Sequence, residues 1–136
     1  MQRWWAKAVQ GERQVGFVTG EAGIGKTTLV EAFIARVRGD GTLWIGHGQC
    51  IEQYGAGDAY LPVLEALGRL CRGPEGQHFS ALLDQYAPSW LVQMPTLLGA
   101  AELEALQRRG RGATQARMLR ELAGAMEALT AERPLL

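Results

Sequence analysis

The run Gly20-Glu21-Ala22-Gly23-Ile24-Gly25-Lys26-Thr27 brings three glycines, an amine and a hydroxyl into eight consecutive residues. Its spacing fits the pattern G-x-x-x-x-G-K-[ST]. The chemistry that calls for these residue types is polyphosphate binding, which needs many donors converging on a small volume. Gly23 and Gly25 permit a positive φ and a close backbone approach that a Cβ would obstruct. Successive N–H groups then point inward as an anion-binding nest. A helix opening near Lys26 adds unpaired N–H groups and the positive end of its dipole. Lys26 brings a mobile point charge for the β- and γ-phosphates. The Thr27 hydroxyl suits Mg²⁺, which takes a few protein oxygens alongside phosphate oxygens and water. Thr28 offers one further donor, to the α-phosphate. The alternative, a glycine-rich turn with an incidental lysine, requires four fixed positions to coincide, roughly a few chances in a thousand at this length and composition.

Such a loop works only between a strand and a helix. Gln14-Val15-Gly16-Phe17-Val18-Thr19 reads as a short apolar strand, and Thr28 to Val37 as a helix. Leu29, Val30, Phe33, Ile34 and Val37 form that helix's apolar stripe. Gly39-Asp40-Gly41 is a stop and turn signal. Thr42 to Gln49 then reads as a second strand. Strand, helix, strand argues for a parallel α/β unit. Cys50 to Ala59 is a loop at the C-terminal end of that second strand, the edge where ligands gather in open α/β sheets. Gln49, Glu52 and Asp58 therefore have a functional reading beside a plainer one, a connection in which Asp58 caps the next helix.

The remainder is helical in character. Gln2 to Gln10 is a short helix whose Trp4, Trp5, Ala8 and Val9 make an apolar side, ended by Gly11. Its tryptophans pack on a neighbouring segment or present a face for adenine stacking or partner docking, and both readings stand. Pro62 suits the first turn of a helix opening at Tyr60, with Leu64, Leu67, Leu70 and Cys71 as its stripe up to Gly73-Pro74. Short helices are predicted over Phe79 to Tyr86, from Pro88-Ser89-Trp90 to a break at Met94-Pro95, and over Glu102 to Arg109. Gly110-Arg111-Gly112 is a basic, solvated turn. Thr114 opens the longest helix, with Met118, Leu119, Leu122, Met126 and Leu129 at helical spacing; its methionines read as core. Arg133-Pro134-Leu135-Leu136 begins an apolar strand.

Composition sets outer bounds. Fourteen basic residues balance fourteen acidic ones over 136 residues, which gives no sign of a nucleic-acid or membrane surface. Lys7 and Lys26 are the only lysines, so Lys26 stands out further. Cys50 and Cys71 are too few and too far apart for a metal site or disulfide framework, and suggest reduced thiols in a cytoplasmic setting. His47 and His78 lack a second ligand in reach. No apolar run approaches the roughly 20 residues of a membrane helix.

Taken with its surroundings, the loop resembles the AAA-like ATPase module of the signal-transduction ATPases with numerous domains, of the bacterial multidomain regulator type. The resemblance rests on Glu21 at the second position of the loop with Gly23-Ile24-Gly25-Lys26-Thr27, and on Gly48-Gln49-Cys50, Tyr54-Gly55-Ala56-Gly57, Tyr60-Leu61-Pro62-Val63-Leu64-Glu65-Ala66-Leu67, Ala87-Pro88-Ser89-Trp90-Leu91 and Arg117-Met118-Leu119-Arg120-Glu121. It implies a three-layer α/β phosphate-loop NTPase fold with a parallel sheet and a helix-rich C-terminal half. It implies ATP and Mg²⁺ as ligands, with Gly20, Glu21, Ala22, Gly23, Ile24, Gly25, Lys26, Thr27 and Thr28 binding the nucleotide and Thr27 holding the metal. Partners expected from it are further domains of the same parent chain: a DNA-binding or cyclase domain and helical repeats. A strand ending in acidic residues is expected to follow Pro134-Leu135-Leu136. Residues 1–136 are thus expected to be the N-terminal part of one ATPase domain, incomplete before that strand, with hydrolysis reserved for the intact parent. In the strand order 5-1-4-3-2 that the resemblance implies, Leu135 lies beside the second strand, and the two full strands do not pair. A non-catalytic, nucleotide-gated adaptor is the alternative from a different functional class.

Overall fold

The computed structural model describes residues 1–39, 43–50, 60–110 and 114–136, the side chains of 109 and 110 excepted. They fall into two compact units, Met1–Leu43 and Trp44–Leu136. Glu52, Asp58 and the Tyr54–Gly57 stretch lie outside the described residues.

In the first unit, helix α1 spans Gln2–Ala8 and α2 spans Lys26–Arg38. Helix α2 starts two residues earlier than the apolar stripe predicts, because Gly25 takes a left-handed conformation as N-cap and the Leu29 N–H already donates to the Gly25 carbonyl at 2.9 Å. Along the stripe, Val37 is buried, Val30, Phe33 and Ile34 are half-buried, and Leu29 is exposed. The expected strand Gln14–Thr19 carries no β-bridge among the described residues. Val15 is 74% and Phe17 84% exposed. Alternating apolar residues become a strand by pairing and by burying a face, and this segment does neither.

The second unit is helical: α3 Leu61–Cys71, α4 Gly76–Tyr86, α5 Pro88–Leu91, a 3₁₀ turn Pro95–Leu97, α6 Ala100–Gly110 and α7 Gln115–Glu132. Prolines open α3 and α5, where the missing N–H costs nothing. Thr114 caps α7, its hydroxyl accepting from the Arg117 N–H at 3.3 Å. Helix α4 packs on α3, α5 and α7, and α5 on α6 and α7. At the centre, Trp90 is fully buried and its indole N–H donates to the Met118 carbonyl at 2.7 Å. Leu83, Leu91 and Leu106 close around it, with Met118 and Met126 at the margin. Glu121 reaches across 32 residues to accept from the Ser89 N–H and hydroxyl, and takes the Arg117 guanidinium at 2.8 Å.

The expected second strand is reduced to one parallel bridge, Trp44 to Leu135. The Trp44 N–H donates to Pro134, the Leu136 N–H to Trp44 and the Gly46 N–H to Leu136, at 2.7–3.0 Å. Leu135 thus lies beside Trp44, within the segment expected to form the second strand. The parallel sheet itself does not form among the described residues. A single bridge is too short to define a strand, since a sheet gains its stability from successive cross-strand pairs. The bridge is fastened from the side. Arg133 donates both guanidinium arms to Glu75 at 2.7 Å and lies 4.8 Å over the Trp44 ring, whose N–H also points to Glu75. The Arg133 guanidinium, more than any other neighbour, holds the Glu75 carboxyl below the usual carboxylate range.

Candidate functional site

The loop is assembled by backbone conformation before any side chain takes part. Gly23 and Gly25 have φ of +77° and +94°, in the left-handed region open to glycine. A Cβ built on either meets no atom within 4 Å. The protein does not fill the space beside these two glycines, so their requirement is conformational, and a side chain there would project into the volume next to the loop. Gly20 is different: its added Cβ would lie 3.0 Å from Ile24 Cγ2. Ile24 therefore folds back over Gly20, although it stays largely exposed. The Ile24 N–H donates to Glu21 at 3.4 Å, closing the turn.

Lys26 is the first residue of α2 and is half-buried. Its ammonium turns back over the loop and donates to the carbonyls of Gly20 at 2.9 Å and Glu21 at 2.7 Å. An ammonium has three donors, so an anion at the loop can take the third without displacing the other two. Thr27 and Thr28 follow in the first helical turn, both exposed. The N–H groups of this turn have no intrahelical acceptor, and the N-cap Gly25 has no side chain to supply one. No acidic residue stands in the first turn of α2, while Arg36 and Arg38 occupy the last. The arginines complement the negative end of the helix dipole, while its positive end has no carboxylate of its first turn to neutralise it and is left for a ligand anion.

These features fit a phosphate chain: two glycines whose Cβ positions are open, one lysine ammonium aimed at the loop, and a helix N-terminus free of carboxylates. Thr27 adds a single hydroxyl oxygen, which suits a Mg²⁺ ion that arrives with its phosphate oxygens. Gly20, Glu21, Ile24 and Lys26 are brought together by the hydrogen bonds and contacts above, and Ala22, Gly23, Gly25, Thr27 and Thr28 adjoin them in the chain. Of the loop candidates further on, Gln49 is held through its backbone, whose N–H donates to Glu65 at 2.8 Å. That N–H, ahead of the Arg69 guanidinium, holds the Glu65 carboxyl below its ordinary value. His47 meets Arg69 and His78 meets Glu132. Among the described residues no three His, Cys, Asp or Glu side chains converge as a metal site.

The comparison with known proteins agrees with the loop. No curated protein and no solved structure matches the chain. A family profile described as AAA ATPase domain matches residues 2–136, nearly the whole sequence. With the glycine-lined loop and its lysine at the head of α2, that match settles the family: the chain belongs to the AAA ATPase domains.

Proposed function

We propose that this chain is the ATP- and Mg²⁺-binding portion of a regulatory AAA-type ATPase in a multidomain signalling or transcription regulator. Membership of the AAA ATPase domains supports nucleotide binding and a phosphate-loop NTPase fold. The observation that carries the reading is the Lys26 ammonium held over Gly20 and Glu21, beside glycines at positive φ. In this reading the loop N–H groups and Lys26 hold the phosphates, and Thr27 supplies a hydroxyl to the metal. Residues Gly20 to Thr28 make up the nucleotide site. The regulatory context draws on the resemblance of the segments around Tyr60–Leu67, Ala87–Leu91 and Arg117–Glu121. Hydrolysis is assigned to the intact parent, whose other domains read the nucleotide state.

Calorimetric titration of ATP with Mg²⁺ and with EDTA tests the reading, in the wild-type chain and in Thr27→Ala. The expected result is tighter binding with Mg²⁺ in the wild type and loss of that gain in Thr27→Ala. Absence of ATP binding under both conditions would overturn it.

A further inference from the structure

Helix α1 grips the entry segment, loop and α2 at both of their ends. At one end the Trp4 ring lies on the backbone of Gly16. A Cβ on Gly16 would stand 2.7 Å from Trp4 Cζ3 and 3.1 Å from Cε3, well inside the roughly 3.5–4.0 Å at which carbon atoms rest in contact. Only glycine admits the ring at this depth. Gly16 belongs to the segment that delivers the chain into Gly20. At the other end the Gln2 amide, turned with its oxygen to the guanidinium, accepts from Arg36 in the last turn of α2 at 2.9–3.2 Å. Between the helix and the segment, the Lys7–Glu12 pair at 3.1 Å and the Glu12 N–H on the Lys7 carbonyl fold the connection back.

We infer that Trp4 is a positioning residue for the phosphate loop, setting through Gly16 where the chain enters it. The inference rests on the nucleotide-binding reading above. Trp4 is not a core residue: it is 44% exposed, so its truncation removes little of what holds the fold. What it removes is the flat surface against which Gly16 is fixed. Among the described residues the entry segment has no β-bridge to fix it instead, and the loop it feeds must hold Gly23 and Gly25 at positive φ. A loop whose entry point wanders samples its binding conformation less, and apparent affinity falls with that fraction.

The test uses the full chain with Trp4→Ala, Trp4→Phe and Gly16→Ala. Three quantities are read: the MgATP dissociation constant, amide hydrogen exchange over residues 16–25 without nucleotide, and the thermal midpoint. Trp4→Ala is expected to weaken MgATP and speed exchange by about fivefold or more, the lower end of ordinary site coupling, with the midpoint unchanged. Trp4→Phe, which keeps a flat ring, is expected to restore both to within about twofold. Gly16→Ala keeps the tryptophan but drives it off the backbone, and is expected to match Trp4→Ala; it decides the matter if Trp4→Ala unfolds α1. Exchange and affinity within about twofold of wild type in both Trp4→Ala and Gly16→Ala would overturn the inference. If the wild-type chain binds no MgATP, the nucleotide reading fails by itself, and the exchange measurement alone supports or overturns the positioning role.

Discussion

Gly25→Ala separates the two things a loop glycine does. Gly25 is the N-cap of α2 at φ +94° and ψ +21°. An L-residue placed there bears the left-handed penalty of about 1–2 kcal/mol. A Cβ at this position meets no atom within 4 Å, so no steric term is added and backbone strain is the whole intramolecular cost. If the variant escapes by leaving the left-handed conformation, the binding-competent loop becomes the minor state, and apparent affinity for MgATP falls by about 5- to 30-fold. The new methyl also projects into the volume beside the loop, adding obstruction. Gly25→Asn divides these contributions, since asparagine tolerates the left-handed region far better than alanine. The loss shared by both variants measures obstruction, and the excess in Gly25→Ala measures strain. The assay is calorimetric titration of MgATP into all three proteins. Gly25→Ala binding within about twofold of wild type would refute the reasoning, because neither strain nor obstruction would then act at the ligand.

Other consequences concern the helical unit. Trp90→Phe removes the indole N–H from the Met118 carbonyl and leaves a small cavity in a fully buried site. The two effects together cost about 2 kcal/mol. A fall of about 10 °C in the thermal midpoint by circular dichroism is expected, and a fall under about 3 °C would show that the site repacks. Glu75 has its carboxyl pKa depressed by Arg133, so the pair's contribution is fully present above the ordinary carboxylate value and is lost as pH falls through the depressed one. Glu75→Gln should therefore flatten the acid limb of the midpoint-against-pH curve, and high salt should shrink the difference because the pair is part exposed. An unchanged acid limb in Glu75→Gln would count against that linkage.

What could be read from the residues divides along a physical line. Local signals were legible. Thr114 caps α7, Pro62 and Pro88 open their helices, and the Lys-Thr end of the loop heads α2. Each is set by neighbours within a turn or two. Helix α4 is a partial exception: it begins at Gly76, three residues before the predicted Phe79. Gly73-Pro74 reads as the break, and Gly76 is needed two residues on because an added Cβ would overlap the Cys71 carbonyl. Contacts across long sequence separations were not legible. Nothing in the spacing of Ser89 and Glu121, or of Glu75 and Arg133, announces their pairing. Apolar runs alone mark the two expected strands, and such runs become strands only where partners exist. Val15–Val18 has none among the described residues, and Leu43–Ile45 has the single bridge to Leu135. The loop was the most legible part of the site, since its chemistry lies in consecutive residues. Its tie to α1 through Trp4 and Gly16 was not, because a glycine in an apolar run gives no sign of what lies against it.

The central claim is that Lys26 meets a nucleotide's phosphates, and titration of a fluorescent ATP analogue into wild type and Lys26→Ala tests it most directly. Lys26 lies at the loop surface and bonds only to the Gly20 and Glu21 carbonyls among the described residues. Its removal should leave the helices intact by circular dichroism. A hydrogen bond to a charged group is worth about 1.5–3 kcal/mol, so affinity should fall by about 10- to 150-fold. Equal affinities in the two proteins, with both folded, would contradict the account.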